Sequence, residues 1–223
     1  MFDLRTLEDI SLLAESYEVE CKLAQGADGN GELPKDFWPT YSAMANAYGG
    51  VVLLVKRKPV QTLARYLQQG SRKRQDCLLA LDGVGNPHNL GAITRSCAHF
   101  GVGGIIMKQP ELLQSGAALR TAEGGGEFVD GLSCDNLPLA LKLCKDAGYT
   151  LITTSSHGGS SLYQTTLPAK VVIVFGEEMF GVSQIVEKNA DIALQIPGSG
   201  KVESLNVSVA ASLIVGEWYR QQS

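Results

Sequence analysis

From Asp76 onward the chain alternates short, largely apolar runs with helix-length segments, and few architectures accept that pattern. The runs are CLLALDG (77–83), GGIIMK (103–108), YTLITTS (149–155), VVIVFG (171–176) and DIALQIP (191–197). A strand that is apolar at every position has no face for water, so it belongs in a parallel sheet covered by helices on both sides. Helices are read over 90–100, 137–147 and 205–220, with a short helix and a glycine cluster in 112–126. Asn89 precedes the first of these as its expected cap. A chain of 223 residues, 44% of them hydrophobic, is long enough for such a core and an appendage.

The region before Asp76 reads differently. Residues 6–16 and 37–48 fit helices, 17–23 and 51–55 fit strands, and GADGNGELP (26–34) is a loop. The whole chain is mildly acidic, at net −4. Its basic charge is concentrated in residues 51–75, where Lys56, Arg57, Lys58, Arg65, Arg72, Lys73 and Arg74 face no acidic neighbour in sequence. Such a stretch is either a solvated linker or a set of phosphate contacts. The expected organisation is an appendage at 1–55, a basic linker at 56–75 with a short helix within it, and the main domain at 76–223. No apolar run approaches the 18 or so residues of a membrane helix. Residues 1–15 contain acids and no signal-peptide core, so a cytoplasmic protein is expected. Five cysteines without a CxxC spacing read as free, mostly buried thiols rather than a disulfide frame or a zinc site.

Several tempting motifs fail. A dinucleotide fingerprint starting at Gly83-x-Gly85 needs glycine where His88 stands. A phosphate loop ending at Gly200-Lys201 needs glycine at Gln195 and a hydroxyl residue at Val202. His88, His99 and His157 have no metal-ligand spacing, and no GxSxG elbow occurs. No metal is expected.

Three segments remain whose polar residues follow strand ends, where open parallel sheets bind ligands. They are LDGVGNPHNLGAITRSCAHFGV (81–102), VVIVFGEEMFGVS (171–183) and IPGSGKVESLNVSVAASLIVGEWY (196–219). In order and spacing they resemble the three signature motifs of the SpoU (TrmH-type) RNA methyltransferases of the SPOUT superfamily, over about residues 76–223. The resemblance implies an α/β fold, a parallel sheet flanked by helices with a carboxy-terminal trefoil knot. It also implies S-adenosylmethionine (AdoMet) as cofactor, methylation of a ribose 2′-hydroxyl in tRNA or rRNA, and a homodimer.

Residue by residue, the resemblance makes Arg95 the catalytic arginine. A guanidinium is not deprotonated in a protein, so its expected part is to hold the target phosphate and stabilise the developing alkoxide. Asn89 lies six residues earlier and is expected to face the same cleft. Glu178 matches the glutamate of the second motif, to orient Arg95 or balance the sulfonium. Ser204 and Asn206 either cap the last helix or contact cofactor and RNA. Gly176, Ile196 and Leu205, with Phe175, Pro197 and Gly198 beside them, match positions that cradle the cofactor mainly through backbone groups. Val207, Ala210, Ala211 and Ile214 suit close helix packing and are expected at the dimer interface. The ribosomal-protein-L30e-like domain that often precedes this family is not seen. Residues 12–55 instead resemble the start of an AlbA-like Schlafen-type domain, on the E-x-x-x-x-E-x-K strand, the Ala-Met-Ala-Asn helix and Gly49-Gly50. The truncated amino terminus and the acidic total charge leave one alternative: a non-catalytic nucleic-acid-binding module that retains the fold.

Overall fold

A computed structural model describes residues 22–25, 51–54, 59–69, 74–155, 158–177 and 181–223. The chain divides into two units, Met1–Lys58 and Pro59–Ser223. In the first, β1 (Lys22–Gln25) and β2 (Val51–Leu54) pair antiparallel, with Lys22 opposite Leu54 and Gln25 opposite Val51. The helices expected at 6–16 and 37–48, and most of the Schlafen-type motif, lie outside the described residues.

The second unit begins with β3 (Gln61–Thr62) and α1 (Leu63–Gln69). There follow β4 (Asp76–Asp82), α2 (Pro87–His99), β5 (Gly104–Met107), a 3-10 turn at Pro110–Gln114, α3 (Gly116–Ala122) and a second 3-10 turn at Gly125–Glu127. Then come β6 (Asp130–Ser133), α4 (Leu137–Asp146), β7 (Thr150–Thr154), β8 (Ser160–Ser161), β9 (Lys170–Gly176), α5 (Gln184–Glu187), β10 (Ile192–Gln195) and α6 (Val207–Gln222). The eight strands pair in parallel in the order β3-β6-β5-β4-β9-β7-β10-β8.

The apolar runs are explained by two packed layers. On one side Cys77, Leu79, Leu81, Ile173 and Phe175 meet Leu90 and Ile93 of α2 and Ala211, Ile214 and Trp218 of α6. On the other, Leu78, Ala80, Val172 and Val174 meet Leu63 and Tyr66 of α1 and Ala140, Leu141 and Cys144 of α4. Cys77, Cys97 and Cys144 are buried free thiols, and burial pushes the Cys144 thiol up to about 12.

The 56–75 segment is not a linker throughout. Gln61 and Thr62 pair with Leu132 and Ser133 at the sheet edge, and α1 buries Leu63 and Tyr66. The Tyr66 hydroxyl donates to buried Asp76 (3.0 Å to Oδ2), as does Tyr149 (2.5 Å). The carboxylate ties α1 to β4 and to the start of β7. Burial first, and the adjacent carboxylate second, raise the Tyr66 pKa well above its ordinary value. Asp76→Ala leaves two inward-facing hydroxyls without this acceptor. That costs about 2–4 kcal/mol, a melting temperature lower by roughly 5–15 °C in a calorimetric scan. An unchanged melting temperature would mean the cluster is incidental.

The last helix also differs from expectation. Val207, Ala211 and Ile214 are buried in this chain's own core rather than held out for a partner, and the exposed apolar positions of α6 are Val209, Leu213 and Tyr219. One feature of the sheet is topologically unusual. β10 lies between β7 and β8, which are consecutive in the chain, so the connection from β7 to β8 spans a strand inserted between them. The approach is close: a Cβ on Gly159 would stand 2.8 Å from the Ala193 carbonyl oxygen.

Candidate active site

The carboxy-terminal ends of β9, β7 and β10 open into a cavity of about 360 Å³, large enough for a small-molecule ligand. Its walls come from Thr154-Ser155, residues 175–177, Gly181-Val182, the 194–205 segment and the first two turns of α6. Phe175, Gly176, Ile196, Pro197, Gly198 and Leu205, the six positions expected to hold cofactor, all line it, as does Ser204.

Gly176 has a structural reason that its sequence position did not reveal. A Cβ there would stand 2.0 Å from the Gly181 carbonyl atoms and 2.3 Å from the Val182 nitrogen. The chain after β9 folds back on itself, with Gly181 N–H donating to the Glu177 carbonyl at 2.8 Å and a bridge between those two residues. Ser183 N–H then donates to Asp82 Oδ2 at 3.1 Å, fastening this loop to the end of β4. Glu178 falls within that return and lies outside the described residues.

Asn89 is not the cap of α2. Asn86 is, accepting from His88 N–H (2.9 Å) and Asn89 N–H (3.3 Å), with Pro87 at the first helical position. The helix starts three residues before the expected point because Asn86-Pro87 is the stronger start signal. Asn89 is thereby placed in the first turn, where its Oδ1 accepts from Asn206 Nδ2 at 3.1 Å. Asn206 also caps α6, accepting from Ser208 N–H at 2.9 Å. The first and third motifs thus meet side chain to side chain beside the cavity. Arg95 stands farther along α2, outside the lining, and pairs at 3.2 Å with Glu123; both side chains are mostly exposed. Glu123 ends α3 in the left-handed region (φ 43°). The backbone beside it is pressed on α2, since a Cβ on Gly125 would lie 3.1 Å from the Arg95 Cα.

Glu177 reads from the sequence as an exposed carboxylate and is exposed, at the cavity wall, while the sequence reading missed Glu203 in that wall and Glu123 beside Arg95. For Glu123 a signal existed, a charged residue directly before the Gly124-Gly125-Gly126 run. Among the described residues no group of three or more His, Cys, Asp or Glu side chains is placed to hold a metal, and no helix is long and apolar enough to cross a membrane.

A family model described as the SpoU rRNA Methylase family matches residues 76–216. The chain belongs to the SpoU rRNA methylase family. It is 46% identical over 174 residues to an uncharacterized tRNA/rRNA methyltransferase, YfiF, of Escherichia coli O157:H7, covering 78% of this chain and 50% of the relative. It is 36% identical over 146 residues to the 23S rRNA (guanosine-2′-O-)-methyltransferase RlmB of Neisseria meningitidis serogroup B, covering 65% and 58%. The fold matches an AdoMet-bound rRNA methyltransferase from Sinorhizobium meliloti with a TM-score of 0.66 at 22% identity, over 78% of this chain and 65% of that one. The chain spans about half the length of the curated SpoU relatives it matches first.

Proposed function

We propose that this chain is an AdoMet-dependent RNA methyltransferase acting on a ribose 2′-hydroxyl of tRNA or rRNA. The observation that carries this is the convergence of the second and third motifs on one cavity, with the Asn89–Asn206 hydrogen bond joining the first motif to its edge. The cavity fits the cofactor: strand-end and loop backbone at residues 194–198 suits an adenine, and apolar Phe175, Ile196 and Leu205 suit its faces. When bound, AdoMet supplies a methyl carbon already activated by its sulfonium. The protein's own work is then positioning and charge stabilisation, without a metal. Arg95 binds the RNA phosphate and stabilises the developing alkoxide, Glu123 and Glu178 orient its guanidinium, and Ser204, Asn206 and Asn89 hold the ribose end of the cleft.

The remaining parts of this reading are a homodimer, a cytoplasmic location, and a trefoil knot in the carboxy-terminal half. The connection from β7 to β8, which spans the inserted β10, supports the knot. The exposed Val209 and Leu213 of α6 support an interface there. Residues 1–55 are an AlbA-like appendage, and the basic residues at 56–58 and 72–74 are phosphate contacts.

Calorimetric titration with AdoMet tests the proposal. Saturable binding is expected, followed by transfer of labelled methyl to tRNA or rRNA as a 2′-O-methyl mark. No heat at millimolar cofactor, with the protein folded by circular dichroism, would defeat it. RNA binding without any transfer would make the chain a nucleic-acid-binding module instead.

A further inference from the structure

Side-chain hydrogen bonds join α2 to α6 at two levels. The Asn89–Asn206 bond lies beside the cavity. About two turns farther along α2, roughly 10 Å by helical rise, the hydroxyls of Ser96 and Ser212 meet at 2.7 Å, part-buried between the helices. Each hydroxyl also reaches a carbonyl of its own helix, Ser96 donating to Ala92 at 3.1 Å and Ser212 to Ser208 at 2.8 Å. Whichever hydroxyl donates across the gap, the other keeps its carbonyl.

Ser96 directly follows Arg95. The other supports of this part of α2 come from α3 and the turn after it. Glu123 pairs with the guanidinium, a Cβ on Gly125 would lie 3.1 Å from the Arg95 Cα, and a Cβ on Gly91 would run into the Ala118 carbonyl and Thr121. None of these α3-side residues lines the cavity, whereas Val207, Ala210 and Ile214 of α6 do. What fixes Arg95 relative to the cavity is therefore the contact of α2 with α6. The apolar side chains those helices share in the core, Leu90, Ile93, Ala211 and Ile214 among them, hold the helices together without direction. A hydrogen bond is directional and weakens steeply when bent, so the serine pair fixes slide and roll as well.

We propose that Ser96 and Ser212 are positioning residues for methyl transfer, their hydrogen bond setting where Arg95 stands relative to the methyl donor's cavity. The proposal rests on the reading of this chain as an AdoMet-dependent RNA methyltransferase with Arg95 at the reacting ribose. Neither serine lines the cavity, so both act through the arginine. Without the bond, α2 is free to shift by a fraction of an ångström against α6, and Arg95 moves with it. Misplacement by about 1 Å costs roughly a hundredfold in rate, so about half that shift costs on the order of tenfold.

The test is steady-state methyl transfer to tRNA or rRNA by the whole chain, with AdoMet affinity from calorimetry and melting followed by circular dichroism. Ser96→Ala/Ser212→Ala removes both partners together and leaves no hydroxyl unpaired, so its melting temperature is expected within about 4 °C of wild type. Its kcat is expected to fall about tenfold, with KM for RNA and AdoMet affinity within about twofold of wild type. Ser212→Thr keeps a hydroxyl facing Ser96 and is expected to hold kcat within about threefold. In an Arg95→Ala background the serine pair is expected to change transfer no further, because the group it positions is gone. A contact that only stabilises the fold would move melting and leave kcat alone. An unchanged kcat in the folded double variant overturns the proposal. So does a loss that persists undiminished in the Arg95→Ala background, or one that appears in AdoMet affinity instead of kcat. If the double variant does not fold, Ser96→Ala alone is held to the same criteria, since Ser212 there still bonds the Ser208 carbonyl. Folded wild-type protein that transfers no methyl to RNA overturns the methyltransferase reading itself, and the proposal with it.

Discussion

Gly176→Ala is expected to abolish useful AdoMet binding while leaving the sheet intact. The added methyl would stand 2.0 Å from the Gly181 carbonyl and 2.3 Å from the Val182 nitrogen. These are backbone atoms, with no flexible side chain to yield, so the return loop has to move. Its hydrogen bond from Gly181 to Glu177 and its fastening to Asp82 move with it. Displacing a cavity wall by an ångström or so costs roughly a hundredfold or more. Calorimetry should report an affinity lower by about that factor, with the helical circular dichroism signal retained. Gly116→Ala is the matched control, because a Cβ there meets only Arg120 Nη1, at 3.5 Å, and the residue lies outside the cavity wall. Equal affinity for Gly176→Ala and wild type would mean that the return loop does not form the pocket.

Arg95→Ala should separate catalysis from everything else. The side chain is mostly exposed and paired only at the surface with Glu123. Its loss is therefore expected to change stability by no more than about 0.5 kcal/mol. It does not line the cavity, so AdoMet affinity is expected to stay within twofold of wild type. Methyl transfer to RNA should fall by about 10²–10³, the loss typical of removing a preorganised charge partner of a developing oxyanion. Arg95→Lys is expected to recover little, since an ammonium cannot reproduce the planar two-pronged hold on a phosphate. Transfer within threefold of wild type in Arg95→Ala would remove this residue from the mechanism.

What could be read in the sequence follows burial. The strands β4, β5, β7 and β9 were legible because both of their faces are covered, leaving nearly continuous apolar runs, whereas β10 buries only Leu194 and leaves Ala193 exposed. The edge pieces were not: Gln61–Thr62, Asp130–Ser133 and Ser160–Ser161 are short and polar, and only pairing with a neighbour makes them strands. The cavity wall was legible through resemblance, not through chemistry, because Ile196 or Leu205 alone reads as ordinary core. Glu203 was passed over for the opposite reason, since a carboxylate in a loop looks like any solvated one until a cavity is seen beside it. Gly176 was singled out through resemblance, and what presses on it is the chain's own backbone at Gly181.

The position of β10 also dictates an order of assembly. A strand held between two sequence neighbours, with Leu194 accepting from Ser155 under their connecting span, enters a space that its neighbours have already begun to enclose. Residues 192–195 leave the ribosome after that span has been made. The cavity, walled largely by residues 194–214, therefore needs β10 in place between its neighbours before it is complete. Long-range closure of this kind is slow. Without β10 in place the rest of the parallel sheet would lack this cavity.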